Sequence, residues 1–362
     1  MTMILPSLQA VIKKYLPALA FFGGFLWDAM TIGRRVNAID LLILTVYLLA
    51  TVFIIKSLVK KTNMLQNNAA ATTLANHPLE SEAHWKARLP YLTLQFLFGS
   101  LFCALFILYY KSASHLTAIA WSLILAVLLI ANEFLENHYK QFTVIWTLFG
   151  FCLILLLNFV LPYILGSVHW VWFYISIMFG VILTLALKLK ISPHLGHIYP
   201  TYLIAIIVAS AYVLDVIPPV PLVKRDMAVG TNLEKVDGKY VLHEDKAPPF
   251  RFIRNIQKTV HIKPGQKVYC IAAVFAPAGL KTKLYHRWEY LDPQKGWQLI
   301  ERIGFDLTGG RNNGFRGYTY KENVKFGQWR VIVETEYNHT ITTEEFILES
   351  DEQQQKKILK VL

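Results

Sequence analysis

Apolar residues run in long unbroken blocks over roughly the first 220 positions, and from there on they alternate with polar ones. A bilayer core of about 30 Å needs about 20 helical residues, each rising about 1.5 Å. Seven blocks approach that length: Tyr15–Ile32, Ala38–Ile55, Leu89–Tyr110, Leu116–Asn132, Phe142–Leu165, Trp170–Leu187 and Thr201–Ile217. They are apolar on every face, unlike the one-sided stripe of a helix lying on a soluble core. The pattern predicts a membrane-embedded all-α helical bundle of about seven spans over residues 1–217. The first block carries Gly23-Gly24 and Asp28, features equally compatible with a re-entrant segment.

Past Pro218 the period changes. Pro218, Pro219 and Pro221 end the last block, because proline cannot continue a helix. Asp237-Gly238 stands between Leu233-Glu234-Lys235-Val236 and Lys239-Tyr240-Val241-Leu242 and reads as a hairpin turn. Residues 218–249 are therefore expected to be a linker with a short hairpin. From Phe250, turn signals such as Pro264-Gly265, Pro277-Ala278-Gly279 and Gly309-Gly310 separate seven β-rich runs: Phe250–Ile262, Lys267–Ala276, Lys281–Leu291, Trp297–Leu307, Phe315–Lys321, Gln328–Glu336 and Ile341–Leu348. Alternation is plain in Trp329-Arg330-Val331-Ile332-Val333-Glu334 and in Leu284-Tyr285-His286-Arg287-Trp288. Seven antiparallel strands with one apolar face need a second sheet to cover that face. An all-β, sandwich-like soluble domain is expected over residues 250–349. Residues 350–362 read as a polar tail, with Ser350 available as a helix cap.

Composition averages over these two regimes. The 362 residues are 54% hydrophobic and 17% charged, with a net charge of +12. From Pro218 onward there are 23 Lys+Arg and 17 Asp+Glu, which leaves +6 on the soluble part, dispersed and without a basic stripe. A solvated surface accounts for that charge, and no nucleic-acid partner is expected. The rest of the excess sits in short loops, where it sets topology. With a cytoplasmic N-terminus, Lys13, Lys14, Lys56, Lys60, Lys61, Lys86, Arg88, Lys140, Lys188 and Lys190 fall on the cytoplasmic side, against Arg34, Arg35 and Lys111 opposite. An odd number of spans then carries the C-terminal domain out of the cytoplasm. Tyr163, Trp170 and Trp172 fall at outer ends, as interfacial aromatics do. Lys13 and Lys14 precede an apolar run that further spans follow directly, so a retained first helix is expected in place of a cleaved signal.

Candidate chemistry is sparse. There is no phosphate loop, Gly-x-Ser-x-Gly elbow, His-Glu-x-x-His helix or Cys-x-x-Cys pair, so neither a cofactor nor a metal site is expected. Cys103, Cys152 and Cys270 lie in apolar runs and read as small buried side chains. Charged groups in lipid cost at least about 2.5 kcal/mol and need partners. Asp28, Arg34, Arg35 and Asp215 collect at outer ends of the spans, as a polar site at the outer leaflet or as a structural ion pair. His194 and His197 are one helical turn apart, too few ligands by themselves for a metal. On the β domain His286, Trp288, Arg316 and Trp329 are candidates for a binding surface, with core packing the competing role for the tryptophans. Asn338-His339-Thr340 fits a glycosylation sequon.

Three of these runs carry a resemblance. His286-Arg287-Trp288, Phe315-Arg316-Gly317-Tyr318 and Gly327-Gln328-Trp329-Arg330-Val331 resemble an uncharacterised bacterial family whose C-terminal β domain is catalogued only as a domain of unknown function. Phe21-Phe22-Gly23-Gly24-Phe25, Asp28 and Gly33-Arg34-Arg35 are similar to the opening of its multi-span members. At Gly317-Tyr318 the sequence departs from the small hydroxyl residue that the family pattern often has. The resemblance implies a bacterial source, for which the charge bias above would mean an inner-membrane protein with its C-terminal domain in the periplasm, and it brings no activity with it. Two functions compete. In the first, the helices hold the β domain at the outer face of the bilayer, where it binds a protein, glycan or other envelope component. In the second, the helices form a transporter, a channel or a lipid-handling protein that uses the polar residues at the outer leaflet.

Overall fold

The structure, a computed structural model, describes residues 37–71, 81–113, 116–132, 141–245, 258–351 and 357–362, with the side chains of 65–71, 81–88 and 116 left out. Within them lie six helices: α1 (Ala38–Ala71), α2 (Ser81–Ser112), α3 (Leu116–Asn132), α4 (Phe142–Leu165), α5 (Trp170–Ile191) and α6 (Tyr199–Val213). Four of these, over Ala38–Met64, Leu89–Ser112, Phe142–Leu165 and Trp170–Ile191, are long and apolar enough to cross a membrane. The expectation of about seven spans is corrected accordingly. The first block lies outside the described residues. α3 and α6 are apolar but have 17 and 15 residues, so α6 rises only about 22 Å, short of a full hydrocarbon core.

The chain divides into two compact units. The first holds Met1–Leu108, Leu123–Leu156 and Ile182–Thr201. Its described helices exchange polar bonds that in lipid would otherwise go unmade. The Gln95 and Asn132 side chains each donate to the other's backbone carbonyl, at 3.3 and 3.1 Å. Trp146 Nε1 donates to Ser192 Oγ at 2.8 Å. The second unit holds Tyr109–Ser122, Leu157–Val181 and Tyr202–Leu362, that is, segments of helices together with the whole β-rich region. In it Asn158 Nδ2 donates to Tyr109 Oη at 3.3 Å, a bond between α4 and α2.

The β region has ten described strands: β1 (Val223–Val236), β2 (Lys239–Asp245), β3 (Lys258–Ile262), β4 (Val268–Phe275), β5 (Lys281–Asp292), β6 (Gly296–Thr308), β7 (Phe315–Lys321), β8 (Gly327–Thr335), β9 (Thr340–Ser350) and β10 (Lys357–Val361). They form two five-stranded sheets, ordered β10-β2-β1-β4-β7 and β3-β9-β8-β5-β6. Alternate residues of both sheets meet in one apolar core: Met227 and Val229 from β1, Cys270 and Val274 from β4, Trp288 from β5, Val331 from β8 and Phe346 from β9.

Each of the seven β-rich runs holds a strand, and three further strands come from stretches read as linker and tail. β1 pairs with β4 from Val223↔Phe275 to Gly230↔Tyr269, so the supposed linker supplies a strand of the first sheet. It shows no alternation because both its faces are covered. Met227 and Val229 point into the shared core, while Ala228 joins Leu242, Ile271 and Leu362 in a second cluster on the other face. A bulge between Thr231 and Leu233, where Asn232 has φ 54°, redirects the strand toward its pairing with β2. The polar tail is likewise an edge strand: β10 satisfies the free backbone groups of β2, from Lys357↔Asp245 to Val361↔Val241. One pair departs from the antiparallel expectation, since β3 runs parallel to β9. The two are far apart in sequence, and no hairpin fixes their relative direction.

Candidate functional site

Within the second unit, the ends of α5 and α6 meet the turn joining β8 to β9, and the end of α4 meets the start of β5. α4 ends at Leu165, and Gly166 follows with φ 64°, the left-handed conformation that closes a helix. Its carbonyl accepts the Lys281 N–H at the start of β5, at 2.8 Å. A side chain at Gly166 would meet the Gly279 carbonyl at 2.9 Å. His169 caps α5: its Nδ1 accepts the Val171 N–H at 3.1 Å, satisfying one of the free amides of the first turn. The His169 ring packs on Tyr337 at 4.4 Å.

α6 ends near Asp215, which holds φ 55°. Aspartate tolerates this region better than most residues, and here its carboxylate has a use for it. Both oxygens lie within 3.1 and 3.2 Å of the Thr340 N–H, which donates to them. His339 Nδ1 stands 3.4 Å away, and the Asp215 carbonyl accepts the Thr117 hydroxyl at 3.1 Å. Tyr212, one helical turn earlier, is stacked on Phe173 at 3.8 Å and lies against His339 at 4.0 Å.

The turn itself is firmly built. Asn338 adopts φ 64°, Thr335 N–H donates to His339 O at 3.0 Å, and Arg302 Nη2 donates to the Thr335 and Glu336 carbonyls at 3.1 Å each. Between turn and helix ends lies a hollow of about 430 Å³, lined by Trp170, Tyr174, Tyr212, Val213, Glu336, Tyr337, Asn338 and His339. Glu336 is exposed and is the only acidic side chain in that lining, which contains no lysine or arginine. Burial, and then the neighbouring Glu336 charge, raises the Tyr337 phenol above its ordinary value, so the ring faces the hollow uncharged.

The residues singled out from sequence are dispersed. Asp28, Arg34 and Arg35 lie outside the described residues, and Asp215 alone of that group is placed, at the joint just described. Trp288 and His286 are fully buried and Trp329 nearly so, at 3% exposure. They lie between the sheets and do not form a surface. The Thr319 hydroxyl accepts the Trp288 indole N–H at 2.9 Å and sits 2.9 Å from His286 Nδ1, joining β5 to β7 across the core. Burial lowers the His286 pKa from 6.5 to about 3, so the ring is neutral. Phe305 packs edge-on to it at 4.8 Å and occupies the space that a side chain at Gly317 would need. Arg316 is half-buried on β7 opposite Ala273, in the other sheet. His194 and His197 are exposed, and among the described residues no group of three His, Cys, Asp or Glu side chains is placed to hold a metal ion.

The outward face of the second sheet carries an ion network that sequence reading took for solvated charge. Glu334, fully buried, pairs with Arg287 at 3.1 Å and Arg302 at 2.6 Å, and Glu289 pairs with Arg287 at 3.0 Å and Arg330 at 2.5 Å. Arg302 and Arg330 lie over the Tyr285 and Trp297 rings. Sequence reasoning missed His169, Glu336, Tyr337 and His339 as well. The available signal was the density of aromatics in Trp170-Val171-Trp172-Phe173-Tyr174 at the head of a helix.

A family model described as "Protein of unknown function (DUF2914)" matches residues 281–347, from the start of β5 into β9. The C-terminal region is thus catalogued as a domain of unknown function, in keeping with the resemblance carried by its motifs. No curated protein matches the chain. Similar solved structures include an immunoglobulin-like protein from Pseudomonas aeruginosa, 14% identical over 34% of this chain and 97% of that one, with a TM-score of 0.19. A β-glucosidase from Listeria innocua is 10% identical over 34% of this chain and 16% of that one, with a TM-score of 0.19. A β-glucosidase from Kluyveromyces marxianus is 11% identical over 38% and 15%, with a TM-score of 0.17. The matched part is thus about a sixth of either glucosidase.

Proposed function

We propose that this is a membrane-anchored envelope protein that holds its β domain at the non-cytoplasmic ends of its helices, and that the hollow beside the β8–β9 turn binds an envelope component. The observation that carries the reading is the joint. Asp215 and Gly166, at two helix ends, bind the backbone of Thr340 and Lys281 directly, and the same joint walls the hollow with helix aromatics on one side and turn residues on the other. A tether that merely displayed a domain would need no such fit. The hollow's size falls in the range of ligand sites, about 300–1,000 Å³.

Orientation is supported by charge. Lys188 and Lys190 occupy the last turn of α5, opposite Trp170, Trp172 and Tyr174 in its first turns. Basic residues favour the cytoplasmic side, and tryptophan and tyrosine favour the interface. In a bacterial cell the proposed orientation corresponds to a periplasmic β domain.

The test uses Asn338, an exposed turn residue lining the hollow. A photo-crosslinking residue at position 338 is expected to capture a defined envelope species in native membranes. Asn338→Cys is expected to react with an impermeant maleimide in intact spheroplasts. Labelling only after permeabilisation would overturn the orientation. Crosslinking no stronger than from an exposed position remote from the hollow, such as Asp237, would overturn the binding role.

A further inference from the structure

We infer that the hollow recognises an organic ammonium group, presented by the headgroup of a membrane amphiphile. This rests on the reading of the hollow as the binding site and adds the ligand's chemistry.

The walls are the first argument. Trp170 and Tyr174 meet at 75°, and Tyr174 and Tyr212 at 89°, each pair with ring centroids 5.9 Å apart. Phe173 and His339 pack on Tyr212, at 3.8 and 4.0 Å, so the free aromatic surface of this wall belongs to Trp170, 43% exposed, and Tyr174, and aromatic surface of this kind holds ammonium ions by cation–π attraction. Tyr337 adds another ring, kept in place by His169. Charge is the second argument. Glu336 is the one carboxylate in the lining, which holds no lysine or arginine. His339 stands against the Asp215 carboxylate, 3.4 Å away. An anionic ligand would meet the Glu336 carboxylate with no lysine or arginine in the lining to offset it.

The amphiphile follows from where the hollow opens. Val213 lines it and is 70% exposed. Leu203 and Ile206, also exposed, precede Val213 at helical spacing and form an apolar stripe along α6 that leads to the hollow. An acyl chain lying on that stripe would deliver its headgroup to the aromatic walls.

Full-length protein in nanodiscs of phosphatidylglycerol alone is titrated with tetramethylammonium chloride against sodium chloride at matched ionic strength, with tryptophan fluorescence as the readout. Saturable binding is expected. Glu336→Gln should weaken it about tenfold and Tyr174→Leu about fivefold, while Trp170→Phe, which retains a ring, should remove the fluorescence signal and spare binding measured by calorimetry. Glu336 is exposed, so its replacement leaves the fold intact. In a second arm, native mass spectrometry of protein from mixed nanodiscs should show ethanolamine or choline lipids retained over phosphatidylglycerol, with the preference lost in Glu336→Gln. Tetramethylammonium binding without lipid preference would assign the site to a soluble ammonium compound and overturn the amphiphile. No saturable binding, or binding indifferent to Glu336→Gln, would overturn the ammonium chemistry. If crosslinks from position 338 persist in that case, the hollow remains a binding site for another class of ligand; if they vanish too, both readings fall.

Discussion

His286 is fully buried on β5, with its Nδ1 2.9 Å from the Thr319 hydroxyl. In His286-Arg287-Trp288 the histidine alternates with an arginine, a pattern read as one side of a binding surface. The alternation was sound, but it is His286 and Trp288 that face inward, where Thr319 meets both. Burial holds the His286 pKa down at about 3 against an ordinary 6.5. Below pH 6.5 the unfolded chain takes up a proton that the buried ring refuses, so this group makes folding less favourable as pH falls. The loss runs at about 1.4 kcal/mol per pH unit and levels off near the folded value. Unfolding of the β domain in the detergent-solubilised protein should therefore show the stability gap between wild type and His286→Gln narrowing by about 2–3 kcal/mol from pH 6.5 to 4.5. A gap constant across that range would mean that the ring is not held neutral. Glu334 makes the complementary point. Its alternation on β8 was legible, yet no sequence pattern says that a carboxylate on the outward face is fully buried beneath Arg287 and Arg302. Glu334→Gln leaves two arginines without their shared counter-charge and should cost about 3 kcal/mol, measured by thermal unfolding at pH 7. A loss below about 0.5 kcal/mol would place the pair among ordinary surface ion pairs.

Elements were legible wherever one face meets water or lipid. The long apolar helices and the alternating strands β5 and β8 follow from period and length, and β4, buried almost throughout, follows from its apolar run between two turn signals. The misses share a cause: the pattern is erased where both faces of a strand are covered, or where a strand only completes an edge. β1 buries Met227, Ala228 and Val229 in succession and so reads as featureless. β10, Lys357-Ile358-Leu359-Lys360-Val361, is short and exposes Ile358, Leu359 and Val361, so no alternation marks its backbone pairing with β2. Its position is fixed by Lys357 and Lys360, which donate to Thr231 and Asp226 at 2.7 and 2.8 Å, and by Leu362, 7% exposed on Ala228, Leu242 and Ile271. Leu362→Ala should destabilise the β domain by about 2 kcal/mol, the transfer energy of a buried leucine, with the loss appearing first as faster amide exchange in β10 and β2. Unchanged exchange in those strands would show that Leu362 anchors nothing.

At the scale of the whole molecule, the candidate site came from the sequence only in part. Asp215 stood out because a carboxylate at the end of an apolar block is costly, and the expected partners were Arg34 and Arg35. No period relates residue 215 to residue 340, so its bond to the β8–β9 turn could not be read from the chain. That bond does two things at once. The left-handed backbone of Asp215 turns the chain from α6 toward the strands, and its carboxylate fixes Thr340. Substitutions separate the two. Asp215→Gly keeps the backbone at ease and deletes the acceptor, while Asp215→Ala deletes the acceptor and adds about 1 kcal/mol of left-handed strain. Asp215→Asn retains an acceptor and the tolerated conformation and gives up only the charge. If the carboxylate is what holds the turn to the helix end, Thr340 amide exchange should rise about tenfold in Asp215→Gly, further in Asp215→Ala and least in Asp215→Asn. Crosslinking from position 338 should weaken in that same order, because the turn residues wall the hollow. Exchange that rises only in Asp215→Ala would locate the joint in backbone geometry alone and leave the hollow independent of Asp215.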